Sequence, residues 1–309
     1  IALAGCTQGE DTSEGFSGSI RITGSSTVFP ISQAVSELFK EDHPDVSFEI
    51  SPDGSSAGFS NFFIPGESDL NNASRPITEG EKEKIADKDF EALEFQLAQD
   101  ALAVVVNNEN DWLGDGLTFE QLEAIWTPDN KATQWSDVND SWPDEDIELY
   151  GPATTSGTFD YFTEEILGEK GRIRSDFQGT EQDNTIASGV KGSKYAIGYL
   201  PFHYYTKNSG ETQAVALSES GDNYVEPSLD AASSGEYPFA RPLFTYANST
   251  KLENNDHVQA FLQFLIEKSG DKSLIADEIG YVQNSDEKVQ SSLDTLKEYT
   301  GGSLPLTST

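Results

Sequence analysis

The stretch that decides the fold is residues 19–31, SIRITGSSTVFPI. Polar and apolar residues alternate over 19–23, which predicts a β-strand that ends at Gly24. Apolar residues then recur three and four positions apart from position 28 to position 38, which predicts an amphipathic helix. The hydroxyl side chains of residues 25–27 therefore lie between the end of a strand and the start of a helix.

The same order of strand, small-residue turn and helix recurs twice further along the chain. A strand pattern over 46–50 precedes Gly54-Ser55-Ser56-Ala57-Gly58, and another over 147–150 precedes Thr155-Ser156-Gly157-Thr158. A fourth short element, Ala73-Ser74-Arg75, adds a serine and a guanidinium. Repeated units of this kind predict an α/β sheet, in which ligands bind beyond the carboxyl ends of the strands.

These hydroxyl clusters suit the binding of a small anion. The first turn of a helix leaves backbone N–H groups unpaired, and the helix dipole favours negative charge there. Glycine lets an oxyanion approach the backbone, and serine or threonine adds hydroxyl donors. One cluster alone is an ordinary helix N-cap, but several that converge would surround a tetrahedral anion with neutral donors. The sequence therefore predicts a phosphate site.

The composition narrows the class of protein. The chain has 309 residues, a length that suits two domains, and 54 acidic against 19 basic residues give a net charge of −35. Such a charge argues against nucleic-acid binding and is typical of adaptation to high salt, where screening over about 3 Å at 1 M weakens self-repulsion. One cysteine and three histidines offer no disulfide framework and no metal-ligand spacing, so neither a metal nor a cofactor is expected.

The single cysteine, Cys6, lies in Leu3-Ala4-Gly5-Cys6, which has the pattern of a lipobox. In this interpretation the thiol carries a lipid, and residues 1–18 form the stub of a signal peptide followed by a tether. The alternative is a chance cysteine in a polar tail. No run of eighteen apolar residues occurs in the chain, so the sequence predicts no membrane span.

The order of longer motifs points to a family. The motifs are Gly24-Ser25-Ser26-Thr27-Val28-Phe29-Pro30, Gly54-Ser55-Ser56-Ala57-Gly58-Phe59, Ala73-Ser74-Arg75-Pro76-Ile77, Trp135-Ser136-Asp137-Val138, Tyr150-Gly151-Pro152, Ser156-Gly157-Thr158-Phe159-Asp160, Ala196-Ile197-Gly198-Tyr199 and Tyr237-Pro238-Phe239-Ala240-Arg241-Pro242. In these motifs and their order, the sequence resembles the phosphate-binding proteins of phosphate ABC transporters. The resemblance extends from about residue 20 to about residue 285.

The resemblance implies a two-lobed periplasmic-binding-protein fold of type II (a Venus-flytrap), in which each lobe is a mixed sheet flanked by helices. Residues 19–103 and 245–309 would form lobe 1 and residues 104–244 lobe 2, and we expect the crossovers near 101–106 and 240–247. The resemblance further implies an extracytoplasmic protein that is not an enzyme and that delivers phosphate to the membrane permease of an ABC importer. We expect it to be a monomer.

Transferred position by position, the resemblance assigns eight phosphate ligands: Ser26, Thr27, Ser55, Ser74, Arg75, Ser156, Gly157 and Thr158. Two positions depart from the best-known family pattern. Pro152 stands where the family has an arginine shortly before its Ser-Gly-Thr element, and Arg75 stands where an aspartate usually follows the serine. Arg75 is the only basic residue within the four elements, and it is therefore the expected cationic anchor.

The candidates for the acceptor of the proton of monohydrogen phosphate are Asp183, Asp53 and Asp160. The sequence is equally compatible with each of them being a solvated surface residue. An acceptor aimed at that proton would separate phosphate from sulfate, which carries none at neutral pH.

Two other functions stay open at this point. One is the binding of another small oxyanion, such as sulfate, molybdate or tungstate. The other is hydrolysis, because residues 54–58 match the G-x-S-x-G pattern of a nucleophile elbow. Ser56 would then be the nucleophile, and His203 or His257 would be the base.

Overall fold

The predicted strand–turn–helix units are present in the structure, a computed structural model that describes residues 15–129, 132–154, 156–180, 182–208, 210 and 212–301. Cys6, most of the expected tether and Thr155 of the third cluster lie outside these described residues.

The strands are short except for two. In chain order they are β1 (Ser17–Gly24), β2 (Asp45–Ser51), β3 (Leu70–Ala73), β4 (Ala92–Val106), β5 (Leu117–Thr118), β6 (Glu148–Pro152), β7 (Gln178–Thr180), β8 (Ala196–Pro201), β9 (Gln213–Ala214), β10 (Leu217–Ser218), β11 (Ala240–Asn248) and β12 (Val282–Gln283).

Helices alternate with these strands through most of the chain. They are α1 (Phe29–Asp42), α2 (Ser55–Gly58), α3 (Glu79–Ala86), α4 (Phe119–Trp126), α5 (Gly157–Leu167), α6 (Asp183–Gly192), α7 (Phe202–Lys207), α8 (Leu229–Ser234), α9 (Ser249–Asn254), α10 (Asp256–Lys268) and α11 (Asp286–Tyr299). Three further turns are a 3₁₀ turn at Trp135–Asp137 and π-helical turns at Phe59–Phe63 and Ser273–Ile279.

The main sheet follows the order β2-β1-β3-β11-β4-β8-β6-β7, with β12 and β9 also paired to β4. Strands β1, β2 and β3 run parallel at one end, and β6, β7 and β8 run parallel at the other. The long strand β4 joins the two ends, since residues 92–101 pair with β11 and residues 102–106 pair with β8. This mixed α/β architecture confirms the fold class predicted from the sequence.

The apolar side chains form two principal cores. Ile22 and Phe261 belong to one core, and we call the elements packed on it lobe 1. Trp126, Phe162 and Tyr199 belong to the other, and the elements packed on it are lobe 2. In lobe 2 the Phe162 ring stacks on Tyr199, with ring centroids 3.9 Å apart, and the Trp126 ring lies edge-on to both. Strand β4 contributes side chains to both cores, so it crosses between the lobes.

The second hydroxyl cluster starts a shorter α-helix than the sequence pattern predicts. Helix α2 has four residues and then widens into the π-helical turn at Phe59–Phe63. The wider turn buries both Phe59 and Phe63 against Tyr246 and neighbouring apolar residues. Single π turns of this kind occur mostly inside helices at functional sites.

No helix within the described ranges is both long enough and apolar enough to cross a membrane.

Candidate functional site

Two glycines hold the first and second hydroxyl clusters against each other. Gly24, at the end of β1, has a φ of +110°, and a Cβ on it would lie 2.1 Å from the carbonyl oxygen of Asn72. A Cβ on Gly58 would lie 2.5 Å from the Cα of Gly24. The backbone N–H of Gly54 donates to the carbonyl oxygen of Gly24 at 2.7 Å. Because neither glycine has a side chain, the two turns pack backbone to backbone.

The hydroxyl groups extend this contact to the fourth element. The N–H of Ser74 donates to Ser55 Oγ at 3.1 Å, and the two serine hydroxyls lie 3.4 Å apart. Ser25 Oγ accepts from the N–H of Thr27 at 3.2 Å, and the Ser25 N–H donates to the carbonyl oxygen of Asn72 at 2.9 Å. The first, second and fourth elements therefore meet at the carboxyl ends of β1 and β3.

A cavity of about 500 Å³ opens at this point, between the two lobes. Its lining combines residues of both lobes with one residue of strand β11. The lining residues are Ser25, Ser26, Thr27, Asp53, Gly54, Ser55, Ser56, Ala57, Ser74, Arg75, Asp160, Glu164, Glu165, Lys170 and Arg241. The structure thus brings together all the ligands that the sequence assigns to lobe 1, together with two of the three candidate proton acceptors.

The described residues of the third cluster, Ser156, Gly157 and Thr158, are not among the residues that line this cavity. Ser156 is the N-cap of α5, and its Oγ accepts from the N–H of Thr158 at 3.2 Å. Gly157 is exposed, and Ser156 and Thr158 are half-buried. Asp160 and Glu164, within the first two turns of the same helix, do line the cavity. Helix α5 therefore contributes Asp160 and Glu164 to the lining, and its first residues contribute none.

Asp183, the third candidate acceptor, is also absent from the lining and occupies the first turn of α6.

Arg75 is held in place by a carboxylate. Its guanidinium donates to both oxygens of Glu81, at 2.8 and 2.9 Å, and to Ser56 Oγ at 2.8 Å. Glu81 also closes the capping box of α3 with Thr78. The hydrogen bond to Glu81 raises the pKa of Arg75, and, although burial opposes the change, hydrogen bonds from Arg75 and Thr78 lower the pKa of Glu81. Both groups are therefore charged at neutral pH, and most of the arginine donors are engaged.

Arg241, at the start of β11, is a site residue that the sequence analysis missed. Its Nη2 lies 3.3 Å from Thr27 Oγ1 and its Nε lies 3.2 Å from Asp100 Oδ2, so it donates to both. The guanidinium carbon lies 3.8 Å from the centre of the Tyr161 ring. Arg75 is the only basic residue within the four elements, but it is not the only one at the cavity, because Arg241 and Lys170 also line it.

Acidic side chains partly neutralise the positive charges of Lys170 and Arg241. Lys170 Nζ lies 2.7 Å from Asp160 Oδ2, and Arg241 Nη1 lies 3.6 Å from Glu164 Oε2. Burial raises the pKa of Glu165, while Arg241 opposes that shift. The cavity therefore combines cations, carboxylates and neutral hydroxyl groups.

The structure does not support the hydrolase alternative, because neither His203 nor His257 forms a hydrogen bond with Ser56 among the described residues. Ser56 Oγ accepts a hydrogen bond from Arg75. His257 Nε2 lies 3.3 Å from the carbonyl oxygen of Ser19, and His203 packs beside Gly280. Across the described residues, no group of three or more His, Cys, Asp or Glu side chains could hold a metal ion.

A larger groove of about 810 Å³ lies between α1, α10 and α11, away from the hydroxyl clusters. Its charged lining residues are Glu41, Asp42, Glu267, Lys268, Asp271 and Asp286. Five of these six side chains are acidic, so the groove repels anions. The smaller cavity between the lobes is therefore the candidate anion site.

Comparisons with known proteins agree with this geometry. A PBP superfamily domain matches residues 9–269. A phosphate-binding protein PstS of Staphylococcus haemolyticus is 36% identical over 276 residues, which are 89% of this chain and 84% of the relative. A PstS of Staphylococcus epidermidis is 36% identical over 301 residues, which are 96% of this chain and 90% of the relative.

Two solved structures show the same fold. The crystal structure of a possible phosphate binding protein from Planctomyces limnophilus has a TM-score of 0.85 and 39% identity, and the match covers 92% of this chain and 99% of that one. An ABC-type phosphate transport receptor from Vibrio cholerae has a TM-score of 0.64 and 25% identity, with coverage of 86% and 100%. The chain therefore belongs to the PBP superfamily and, within it, to the family of the phosphate-binding proteins PstS.

Proposed function

We propose that this protein captures inorganic phosphate between its two lobes and delivers it to the membrane permease of an ABC importer. The observation that carries the proposal is the meeting of three hydroxyl-bearing elements on one cavity of about 500 Å³, beside two arginines. Relatives that are named phosphate-binding proteins and are 36% identical over most of the chain support the same ligand. The protein acts outside the cytoplasm as a monomeric receptor and not as an enzyme.

In lobe 1 the proposed ligands are Ser26, Thr27, Ser55, Ser74 and Arg75. Hydroxyl and backbone N–H groups can donate to several oxygens of one anion without bringing a large positive field. This matters in a chain with a net charge of −35, because the long-range field of the protein repels a dianion. Short-range donors must therefore supply the affinity, and high salt assists by screening the repulsion.

In lobe 2 the proposed ligands are Ser156, Gly157 and Thr158, at the N-terminus of α5. We propose that lobe 2 (residues 104–244) closes on lobe 1 (residues 19–103 and 245–309) around the anion, and that closure turns these three residues into the cavity. Hinge closure over a ligand is the usual movement of two-lobed binding proteins. The unpaired N–H groups of the first helical turn then face the phosphate.

For the proton acceptor we propose Asp53. Asp53 and Asp160 both line the cavity, but Asp160 is held by Lys170 at 2.7 Å. Asp53 is exposed in this structure, and the proposed lobe closure would bury it. A carboxylate that accepts the proton of monohydrogen phosphate would face sulfate without any hydrogen bond, and a buried unpaired acceptor costs about 1–3 kcal/mol. Asp53 therefore provides selectivity as well as affinity.

We expect calorimetric titration at high salt to show tight phosphate binding and sulfate binding that is weaker by roughly ten- to a hundred-fold. This ratio of affinities corresponds to the free-energy cost of the unpaired acceptor. Asp53→Asn should reduce this ratio, whereas Asp183→Asn, outside the cavity, should leave it unchanged. Equal affinity for phosphate and sulfate would contradict the proposal that Asp53 accepts the phosphate proton. Tighter binding of molybdate or tungstate would favour the other oxyanions. Ester hydrolysis that Ser56→Ala abolishes, without anion binding, would favour the hydrolase.

We also propose that a lipid on Cys6 anchors the protein to the outer face of the membrane. The expected tether must end earlier than residue 18, because β1 begins at Ser17. Stable attachment needs more than one acyl chain, so a diacylated cysteine is expected. In cells that express the complete precursor, the protein should sediment with membranes and Cys6→Ser should release it. Equal release of both forms would show that Leu3-Ala4-Gly5-Cys6 is a chance match.

A further inference from the structure

We propose that Arg241 binds the phosphate directly through Nη1, and that the carboxylate of Glu164 is a weak ion-pair partner of this nitrogen when phosphate is absent. The inference rests on the proposed function and adds a ligand on strand β11 that lies outside all four hydroxyl-bearing elements. It is drawn from the unequal engagement of the two arginines that line the cavity.

The donors of Arg75 are largely used by the protein itself. Both of its terminal nitrogens donate to Glu81, one also donates to Ser56 Oγ, and the other also donates to the carbonyl oxygen of Pro76. Four of its five N–H groups therefore have partners. An anion that bound this guanidinium end-on would have to displace Glu81, which is nearly buried and fixed by the capping box of α3.

Arg241 differs from Arg75 in this respect. Its Nε and Nη2 are engaged by Asp100 and Thr27. Its Nη1 makes no hydrogen bond to any residue in the described part of the chain, and the nearest carboxylate, Glu164, stands at 3.6 Å. Thr27 is itself a proposed phosphate ligand. An anion on the Thr27 hydroxyl therefore lies next to an arginine nitrogen with two free N–H groups.

The surroundings of Arg241 keep it rigid and partly dry. Its side chain is 12% exposed, and that of Asp100, on β4, is 9% exposed. The ring of Tyr161 covers one face of the guanidinium at 3.8 Å. A charge in such surroundings forms stronger hydrogen bonds than one in water, and it loses little conformational entropy when it binds a ligand.

Glu164 is suited to act as a temporary partner for Arg241. It belongs to α5 of lobe 2, its side chain is 60% exposed, and it lies just beyond hydrogen-bond distance from Nη1. An ion pair in which one partner is exposed and no hydrogen bond forms contributes little, about 0.2–1 kcal/mol. Phosphate can therefore displace the carboxylate, and the exchange replaces a contact between Arg241 and lobe 2 by a contact with the ligand.

The test is titration of the purified protein with inorganic phosphate. Removing Arg241 alone would leave Asp100 buried without its counter-ion, so the informative variant is Arg241→Gln combined with Asp100→Asn, and Asp100→Asn alone is its control. We expect the double variant to lose roughly ten- to a hundred-fold in affinity, as for a lost hydrogen bond to a charged group, and the control to lose much less. Arg241→Lys should recover part of the loss.

The phosphate affinity of Glu164→Gln distinguishes direct binding by Arg241 from a purely structural role, because a structural role predicts no change in that affinity. It should tighten phosphate binding roughly two- to five-fold, which corresponds to release of a weak ion pair. Glu165→Gln changes the same charge at a neighbouring lining residue that interacts with Arg241 only beyond ion-pair distance, and it should have a smaller effect. Equal effects of the two glutamine variants, or a double variant that binds like the parent, would overturn the inference alone. A parent protein that does not bind phosphate would overturn the proposed function as well.

Discussion

Gly24→Ala is expected to abolish phosphate binding and to lower the free energy of unfolding by about 3 kcal/mol or more. Gly24 has a φ of +110°, a conformation that residues with a Cβ rarely adopt. The new methyl group would also lie 2.1 Å from the carbonyl oxygen of Asn72, a backbone atom that cannot rotate away. The end of β1 must therefore shift, and the hydroxyl groups of residues 25–27 shift with it.

Urea unfolding and phosphate titration of the same sample measure the two effects. Gly80→Ala is a matched control, because Gly80 lies in α3 and a Cβ there meets no atom within 4 Å. That substitution should be neutral or stabilising by up to about 1 kcal/mol, as helix propensity predicts. If Gly24→Ala binds phosphate as the parent does, the close packing of the first and second clusters is not required for the site.

The parts of the site that the sequence could predict are those built by local chemistry. Gly24 and Gly58 lie in turns that pack backbone to backbone, which requires residues without a side chain. The hydroxyl groups directly follow strands that the sequence pattern predicts. Because the carboxyl ends of parallel strands meet at one edge of a sheet, clusters that follow β1 and β3 had to come together. Helix α10 also follows local chemistry, because its apolar residues Val258, Phe261, Leu262 and Leu265 recur at helical spacing and are buried.

The parts that could not be predicted depend on pairings between distant segments. Arg241 reaches Thr27 across 214 positions, and nothing in the sequence around either residue indicates that contact. Asp100 lies within an apolar stretch, and its pairing with Arg241 follows only from the register of β4 with β11. A charged residue at the start of a predicted crossover strand was the one signal that could have drawn attention to Arg241.

Arg75 shows the limit of assigning a role from residue type alone. The sequence indicates correctly that this guanidinium lies beside the serines. It cannot show that Glu81, six positions further on, takes up both ends of the guanidinium. The number of guanidinium N–H groups that are available to a ligand depends on the folded structure. It differs between Arg75 and Arg241, although both line the same cavity.

Arg174→Ala is expected to destabilise lobe 2 by about 2–6 kcal/mol, because two buried carbonyl groups each lose their donor at a cost of about 1–3 kcal/mol. The Arg174 side chain is 4% exposed. Its Nη1 donates to the carbonyl oxygen of Ile125 at 2.6 Å and to that of Ala132 at 2.7 Å, and its Nε donates to Asp176. The first of these carbonyls belongs to the last turn of α4, which lacks helical partners. Alanine would leave both carbonyls buried without this donor.

The effect should reach the phosphate site through one packing contact. Trp126, the last residue of α4, packs edge-on against Phe162 of α5, with ring centroids 5.4 Å apart. Since the proposed ligands of lobe 2 lie at the start of α5, a loosened α4 should also weaken phosphate binding. Thermal unfolding without phosphate should show a fall in the midpoint of roughly 3–9 °C, since the unfolding entropy is about 2.1 cal/mol/K per residue over 309 residues.

Arg172→Ala is the control for this prediction, because it removes an arginine only two positions away. Arg172 forms a surface ion pair with Asp129, whose side chain is 75% exposed, and such pairs contribute at most about 1 kcal/mol. Phosphate binds only the folded protein, so it should raise the unfolding midpoint of both variants. If Arg174→Ala unfolds at the same temperature as Arg172→Ala, the carbonyls at the end of α4 find other donors, and the buried guanidinium is not what fixes α4 beneath α5.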